Sequence, residues 1–160
     1  MKPLSLHLEI IIESKLWDSS PLPRHLLEMS AEKALELGCD DFALPFEINL
    51  LLCDDAKMQT LNKSWREQDK PTNVLSFPAA FNSPDEKDFL GDIALAYETI
   101  AREAEQEHKT FQDHVAHLVI HGVLHLLGFD HITDEEAEEM EELERQALAQ
   151  MGIADPYTPL

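Results

Sequence analysis

Four short segments of the chain have the composition of β-strands. Leucine or isoleucine occupies every second position from 4 to 10, which predicts a strand with one buried face. The run FEINLLLC at residues 46–53 is mostly apolar and predicts a more deeply buried strand. Residues 73–77 (NVLSF) and 90–95 predict two further strands, and residues 79–88 between them have the composition of a loop.

Helical periodicity occupies the intervals between these strands. Ser20 followed by Pro21 predicts an N-cap and a first helical residue, and that helix should run to about residue 37 and stop at Gly38. A second helix should open near Asp54 and end before Pro71, because proline cannot continue a helix. Its apolar stripe is predicted to contain Met58, Leu61 and Trp65.

Two helical regions are predicted in the C-terminal half. One extends from about residue 98 to 125 with a break near Thr110, and the next opens at a capping box formed by Thr133 and Glu136. The apolar stripe of this last helix is Ala137, Met140, Leu143, Ala147 and Leu148. The order β-α-β-α-β-β-α-α predicts an α+β fold with a single mixed four-stranded sheet packed with helices. We expect residues 1–160 to form one domain.

The composition is that of a protein with a substantial core. The chain has 160 residues, of which 44% are hydrophobic and 28% are charged. No apolar run approaches the roughly 20 residues that a membrane span requires, so we expect a cytoplasmic protein without membrane contact. Cys39 and Cys53 do not form a CxxC pair, which favours reduced thiols over a disulfide.

Charge is distributed unevenly along the chain. The formal net charge of −20 argues against a broadly basic nucleic-acid-binding protein. Residues 134–144 carry eight carboxylates and no base. The segment 57–70 is the basic exception, where Glu67 and Asp69 are outnumbered by Lys57, Lys63, Arg66 and Lys70. A local basic surface on an acidic protein is therefore expected.

The segment HGVLHLLGFDH, residues 121–131, has its histidines at metal-ligand spacing. In a helix, His121 and His125 lie one turn apart on the same face, so two imidazole nitrogens can bind one ion. Gly128 tolerates the left-handed conformation that ends a helix, and the turn returns His131 toward that ion. One such histidine is usually a core residue, but three at this spacing indicate an open site of the catalytic zinc type. Imidazole also suits nickel and cobalt.

The same histidine spacing occurs in the metzincin peptidases, with one difference. Those enzymes have glutamate directly after the first histidine, whereas this chain has Gly122. The general base of peptide hydrolysis is therefore missing from its usual position. We expect a zincin-like metal site on the central helix that performs different chemistry or none.

Other polar residues around this segment have open or structural interpretations. His117 lies one turn before His121 and either hydrogen-bonds to a ligand histidine or is a satisfied buried residue. Asp130 either orients a ligand imidazole or caps the end of the helix. No function is expected for the remaining histidines, which are His7, His25, His108 and His114.

Together with KPTNVLSFP at residues 70–78 and LGDIALA at 90–96, the histidine segment resembles the bacterial YbeY family of zinc-dependent endoribonucleases. The order and spacing of the three blocks match, and the likeness extends from about residue 45 to 155. The resemblance implies a single-strand-specific ribonuclease, hence a hydrolase. It implies a role in ribosomal RNA maturation at the 3′ end of the small-subunit RNA, and in ribosome quality control. The implied partners are ribosomal RNA, the small ribosomal subunit and its assembly factors.

Carried over to this chain, the resemblance implies one Zn²⁺ held by His121, His125 and His131, and a functional arginine at Arg66. A guanidinium can bind two oxygens of a phosphodiester at once, so Arg66 suits that chemistry. Without the resemblance, Arg66 would be interpreted as a solvated charge at the end of a helix. Lys63 and Lys70 either steer phosphates or, the interpretation we favour, are surface lysines.

Two other classes of function stay open. The first is a metallopeptidase-like hydrolase that takes its base from elsewhere in the chain. The second is a non-catalytic, metal-binding ribosome assembly factor, whose acidic last helix would bind a basic ribosomal protein. A run of charges is more often a solvated helix face.

Overall fold

Four strands form one mixed sheet in the computed structural model, which describes residues 4–40, 45–79 and 88–158. The strands are β1 (Leu6–Ile12), β2 (Phe46–Cys53), β3 (Val74–Pro78) and β4 (Asp88–Ala96). They lie in the order β1-β2-β4-β3. β2 is parallel to both β1 and β4, and β3 is antiparallel to β4. The predicted α+β fold with a mixed four-stranded sheet is confirmed. The loop predicted at 79–88 falls almost entirely outside the described residues.

Five α-helices surround this sheet in the described part of the chain. They are α1 (Arg24–Gly38), α2 (Asp55–Arg66), α3 (Tyr97–Gln106), α4 (Phe111–Leu126) and α5 (Asp134–Gln150). The side chains of Asp54, Thr110 and Thr133 each accept a hydrogen bond from the backbone N–H three residues on. The starts predicted at Asp54 and Thr133 and the break predicted near Thr110 are therefore confirmed.

The start of α1 differs from the prediction. Ser20 follows a short 3-10 helix (Lys15–Ser19), and α1 begins after Pro23, three residues later than expected. A residue that precedes a proline is disfavoured in the helical conformation, so two prolines spaced two apart, Pro21 and Pro23, delay the helix. The Ser20 hydroxyl instead lies 2.8 Å from the hydroxyl of Tyr97.

The sheet separates two apolar clusters. The side chains of residues 46, 48, 50 and 52 of β2 join the larger cluster together with residues of α1 and α4. The smaller cluster lies under α2 and contains Cys53, Met58, Leu75, Ala94 and Ala96. This division follows from the strand geometry, in which alternate side chains point to opposite faces.

Trp65 does not lie on the buried stripe of α2, contrary to the prediction. Met58 is fully buried and Leu61 packs against the smaller cluster, but 69% of Trp65 is exposed. Its ring meets Phe77 edge to face, with the centroids 6.0 Å apart. The buried stripe therefore ends one turn earlier than the periodicity suggested, and Trp65 contacts β3 through the edge-to-face meeting with Phe77.

The two cysteines are thiols, as expected. Burial raises the pKa of the Cys53 thiol to about 12, and the charges of Asp54 and Glu13 act in the same direction. Cys53 therefore stays protonated and unreactive at neutral pH. Among the described residues, no helix combines the length and the apolar character needed to cross a membrane.

α4 is the central helix, and it contacts α1, α3, α5, β3 and β4. It passes very close to the sheet at Gly122, where an added Cβ would lie 3.0 Å from Ile93 Cγ2 and 3.2 Å from Ser76 Oγ. Ser76 Oγ donates a hydrogen bond of 3.1 Å to the Gly122 carbonyl oxygen. The close packing of α4 on β3 and β4 therefore leaves little room for a side chain at position 122.

We predict that Gly91→Ala lowers the free energy of unfolding by at least about 2 kcal/mol, because a strained backbone and a steric clash add together. Gly91 has a φ of +137°, and an added Cβ would lie 2.2 Å from the Phe77 carbonyl oxygen of the paired strand. Urea unfolding measures this loss. Gly152→Ala is the matched control, since its φ of +74° is also positive but no described atom lies within 4 Å of the added Cβ. The control should cost about 1 kcal/mol, and equal losses in the two variants would contradict the clash.

Candidate metal centre

Three histidine side chains converge at the C-terminal end of α4. His121 and His125 come from the helix and His131 from the turn that follows, and one nitrogen of each lies within 4.8 Å of the other two. His121 Nε2 and His125 Nε2 are 3.0 Å apart. The His131 ring centroid is 5.7 Å from that of His121 and 5.0 Å from that of His125. The structure thus brings the three predicted ligands together, and their binding of a metal stays a prediction.

The turn between His125 and His131 has the expected geometry. Gly128 adopts a φ of +102°, and its N–H donates a hydrogen bond of 3.0 Å to the His125 carbonyl oxygen. This left-handed residue ends α4 and reverses the chain, as the sequence predicted. Asp130 Oδ1 accepts a hydrogen bond of 2.8 Å from the backbone N–H of His131. In this contact Asp130 stabilises the turn, which is neither of the two roles proposed for it from the sequence.

The hydrogen bonds of His121 and His125 determine which nitrogen of each ring faces the other histidines. His125 Nδ1 lies 2.9 Å from the Phe129 carbonyl oxygen, and His121 Nδ1 lies 3.1 Å from Glu144 Oε1. A carbonyl and an ionised carboxylate can only accept, so both Nδ1 atoms carry the hydrogen. The lone pairs of the two Nε2 atoms therefore face each other. Two lone pairs 3.0 Å apart repel each other, and a cation between them would remove this repulsion. The donor set therefore fits a metal that binds imidazole.

The environment of His125 favours its neutral, metal-binding form. Burial lowers the pKa of His125 below its ordinary value, and the neighbouring His121 and His131 lower it further. The Phe129 carbonyl and the charge of Asp130 act in the opposite direction but do not prevail. A neutral imidazole is the form that coordinates a metal, so this ring is prepared for binding at neutral pH.

Glu144 is a residue of this centre that the sequence analysis missed. It lies in the acidic run 134–144, whose charges are expected on a solvated helix face, yet it is only 1% exposed. Burial alone would raise the pKa of Glu144, but hydrogen bonds and charges from His117 and His121 lower it to about 2. Its position could have revealed it, because it lies four residues after Met140 on the apolar stripe of α5.

Glu144 joins three side chains around one buried carboxylate. Oε1 accepts hydrogen bonds from His117 Nε2 at 2.8 Å and from His121 Nδ1 at 3.1 Å. Oε2 accepts one of 2.8 Å from the hydroxyl of Tyr157. His117 is therefore a buried, hydrogen-bonded residue, and it is connected to the predicted ligand His121 through Glu144. This arrangement fits the interpretation of His117 as a buried, hydrogen-bonded residue, since its bonds in the described structure go to Glu144 and Tyr157 and not to a histidine.

Arg66 lies across a cavity from the histidines. It is exposed at the end of α2, as expected, and its Nη2 donates a hydrogen bond of 2.9 Å to the Ser76 carbonyl oxygen. Arg66 and the three histidines line the same cavity, which has a volume of about 470 Å³. Asp130 contributes a carboxylate to this lining. Lys63 is exposed and lies 4.0 Å from Asp69, in agreement with a surface lysine.

A second group of potential ligands, Glu103, Glu107 and His114, lies between α3 and α4. His114 Nε2 is 2.9 Å from Glu103 Oε1, and the amide of Asn73 donates to the same oxygen at 3.0 Å. The ammonium group of Lys109 lies 3.5 Å from Glu107. These donors and a neighbouring positive charge already satisfy the carboxylates. His114 therefore connects α4 to α3 through Glu103.

Comparison with known proteins gives consistent matches. Residues 13–152 match the model of the family described as endoribonuclease YbeY. A Nitrobacter hamburgensis protein named endoribonuclease YbeY is 49% identical over 156 residues, which cover 94% of this chain and 82% of that protein. One of the same name from Methylocella silvestris is 46% identical over 98% of this chain and 87% of its own length. The solution structure of a Thermotoga maritima protein is similar with a TM-score of 0.56 and 25% identity, and the match covers 96% of this chain and 100% of that one.

We predict that zinc raises the unfolding temperature of the metal-free protein, because the ion binds the folded state only. When the free zinc concentration is about 100 times the dissociation constant, the free energy of unfolding should increase by roughly 2.7 kcal/mol. Scanning calorimetry of protein prepared without a histidine tag, with zinc and with chelator, measures it. His125→Ala should lose the gain, whereas His25→Ala, an exposed site on α1, should keep it. An equal gain in His125→Ala would contradict the site.

We also predict that this zinc-dependent gain is complete at neutral pH and is lost on acidification. Protons compete with the metal for neutral imidazoles, so affinity falls as the ligand histidines become charged. Since the pKa of His125 is lowered, protonation of this ring should reduce the zinc-dependent stabilisation only at a pH below the ordinary histidine pKa of about 6.5. Calorimetry between pH 8 and pH 5 tests this, and a gain that increases toward pH 5 would contradict it.

Proposed function

Because this chain belongs to the YbeY family of endoribonucleases, we propose that it is a zinc-dependent endoribonuclease specific for single-stranded RNA. Its proposed task is ribosomal RNA maturation at the 3′ end of the small-subunit RNA, together with ribosome quality control, in the cytoplasm. Residues 1–160 would act as one domain. The observation that carries the proposal is the convergence of three imidazoles on a cavity that Arg66 also lines.

The three histidines are suited to hold the catalytic metal. His121 and His125 would present Nε2 to it, since their Nδ1–H groups are held by Glu144 and by the Phe129 carbonyl. With His131 as the third ligand, zinc held by three protein side chains would still be able to accept substrate or water. When bound, zinc supplies a Lewis acid for a phosphoryl oxygen and makes water nucleophilic near neutral pH.

Arg66 is suited to bind the phosphate under attack. One of its N–H groups is anchored to the Ser76 carbonyl, and a guanidinium has five N–H donors in a planar fork. The remaining donors can bind two oxygens of one phosphodiester. Negative charge increases on these oxygens as the fifth bond to phosphorus forms, so Arg66 would stabilise the transition state more than the ground state.

The charge distribution supports a substrate that is delivered by a partner. The net charge of −20 repels RNA, and the favourable charges are concentrated in residues 57–70. Binding of free RNA should therefore be weak. We propose that contacts with the small ribosomal subunit and its assembly factors supply the missing affinity.

The proposal predicts that Arg66→Ala lowers ribonuclease activity by at least about 100-fold, as expected for loss of a group that stabilises transition-state charge. Its unfolding temperature should stay near the wild-type value, because Arg66 is exposed. Arg66→Lys should restore little activity, since an ammonium lacks the planar fork. Arg102→Ala, which removes an exposed arginine on α3 outside the segment 57–70, is the matched control and should stay active. A large fall in unfolding temperature with proportionate loss of activity would make Arg66 structural.

The proposal also predicts that the protein cleaves RNA and leaves peptides intact. Peptide hydrolysis needs a base that activates water and then protonates the leaving amine, and the position where metzincins carry it is Gly122, packed against Ile93 and Ser76. Single-stranded ribosomal RNA fragments and unfolded proteins should be incubated with enzyme, with and without chelator. Only the RNA should be cut, and His121→Ala should abolish that cleavage.

Two other results of this experiment would each replace the proposal. Chelator-sensitive proteolysis without RNA cleavage would make the protein a metallopeptidase. Inactivity on both substrates, with binding to the small ribosomal subunit retained, would make it a non-catalytic assembly factor.

A further inference from the structure

We infer that Glu144 is a positioning residue for the metal centre and that Tyr157, in the C-terminal segment, holds it in place. This inference rests on the proposed metal binding and deepens it. Neither residue lines the cavity shared by the histidines and Arg66 in the described structure. Their effect on the centre would therefore pass through the ring of His121, whose Nδ1 lies 3.1 Å from Glu144 Oε1.

The hydrogen bond from His121 to Glu144 controls both the tautomer and the orientation of the ring. An imidazole with no acceptor at Nδ1 can carry its hydrogen on either nitrogen and can rotate about its last torsion. The carboxylate retains the hydrogen on Nδ1, so the lone pair of Nε2 faces His125 and the predicted ion. A carboxylate at this position also increases the basicity of the ring and so strengthens its bond to a metal.

A buried negative charge at this position is costly for folding alone. Glu144 lies between Met140 and Leu148 on the apolar stripe of α5, where a leucine would pack without desolvating an ion. The carboxylate is compensated by its three hydrogen bonds and, when the centre is loaded, by the positive charge beyond His121. Glu144 thus occupies a position on α5 where an apolar residue would pack better, and from there its carboxylate bonds to the ring of His121.

Tyr157 immobilises the second oxygen of this carboxylate. Its hydroxyl donates to Glu144 Oε2, and its ring meets the ring of His117 edge to face at 5.6 Å. The Arg145 guanidinium lies 5.3 Å from the Tyr157 ring centroid, and its Nε is 3.2 Å from Asp155 Oδ2. These contacts hold the segment that contains Asp155 and Tyr157 against α5. The order of that segment and the affinity of the metal centre are therefore coupled.

The test compares zinc dissociation constants of full-length variants, measured by competition with a fluorescent chelator at pH 7.5. Glu144→Gln keeps the size of the side chain and removes its charge, and it should weaken binding by about 10- to 100-fold. Glu139→Gln makes the same change at an exposed position of α5 and should leave the constant unchanged. Tyr157→Phe removes one hydrogen bond to the carboxylate and should weaken binding less, on the order of threefold.

A second measurement separates positioning from a general loss of structure. Long-range proton–nitrogen spectra of the metal-free protein should show His121 with its hydrogen on Nδ1 in wild type. The other tautomer should become more populated in Glu144→Gln, because an amide oxygen is a weaker acceptor than a carboxylate. If Glu144→Gln does not fold, Tyr157→Phe decides the question, since Tyr157 is partly exposed and its loss leaves the core intact.

The outcomes distinguish this inference from the proposed function. Zinc affinity that is unchanged in Glu144→Gln, or in Tyr157→Phe where that variant decides, would overturn the positioning role. The metal centre and the ribonuclease proposal would survive that result. A wild-type protein that binds no zinc would refute the metal centre itself, and this inference with it. RNA is absent from these measurements, so ribonuclease activity does not enter the result.

Discussion

The contacts of Ser76 with α4 and with Arg66 are the interactions on which the candidate site depends. The Ser76 hydroxyl donates to the Gly122 carbonyl on α4, and the Ser76 carbonyl accepts from Arg66 at the end of α2. One residue of β3 therefore sets the position of the histidine helix on one side and of the guanidinium on the other. The bond to the Gly122 carbonyl is buried and therefore protected from competition by water. Ser76 thus connects the two sides of the proposed active site, which line one cavity.

The same close packing explains why the metzincin spacing occurs here without the peptidase glutamate. A side chain at position 122 would meet Ile93 and Ser76 at distances of 3.0–3.2 Å, so a residue larger than glycine would require these neighbours to shift. Gly122 itself has no ionisable group, so it supplies no acid–base chemistry from that position. Phosphodiester cleavage depends less on such a residue when a metal and an arginine stabilise the developing charge. Ligand spacing alone does not determine the reaction; the fold around it does.

The polar groups of α4 are arranged from the solvent-facing cavity toward the interior. His121 and His125 are half-buried at the cavity, and His117 and His114 are buried deeper along the helix. Each buried ring meets a carboxylate, Glu144 for His117 and Glu103 for His114. The largely apolar helix α4 can contain buried imidazoles because Glu103 of α3 and Glu144 of α5 lie within hydrogen-bond distance of them. The candidate metal centre thus lies at one end of a row of imidazoles on α4, and the buried rings of this row are hydrogen-bonded to carboxylates of neighbouring helices.

The sequence by itself determined the elements of this fold and the three converging histidines, because these depend on short-range features. Side chains four residues apart share a helix face, a glycine permits the reversal at Gly128, and caps such as Thr133 act over three residues. The tertiary structure alone decided the rest: the burial of Glu144, the exposure of Trp65, and the bond from Arg66 to Ser76. Each of these depends on contacts between elements that are distant in the sequence. The apolar stripe of α5 could have marked Glu144 as buried, but its partners His117 and His121 are decided only when α5 packs against α4.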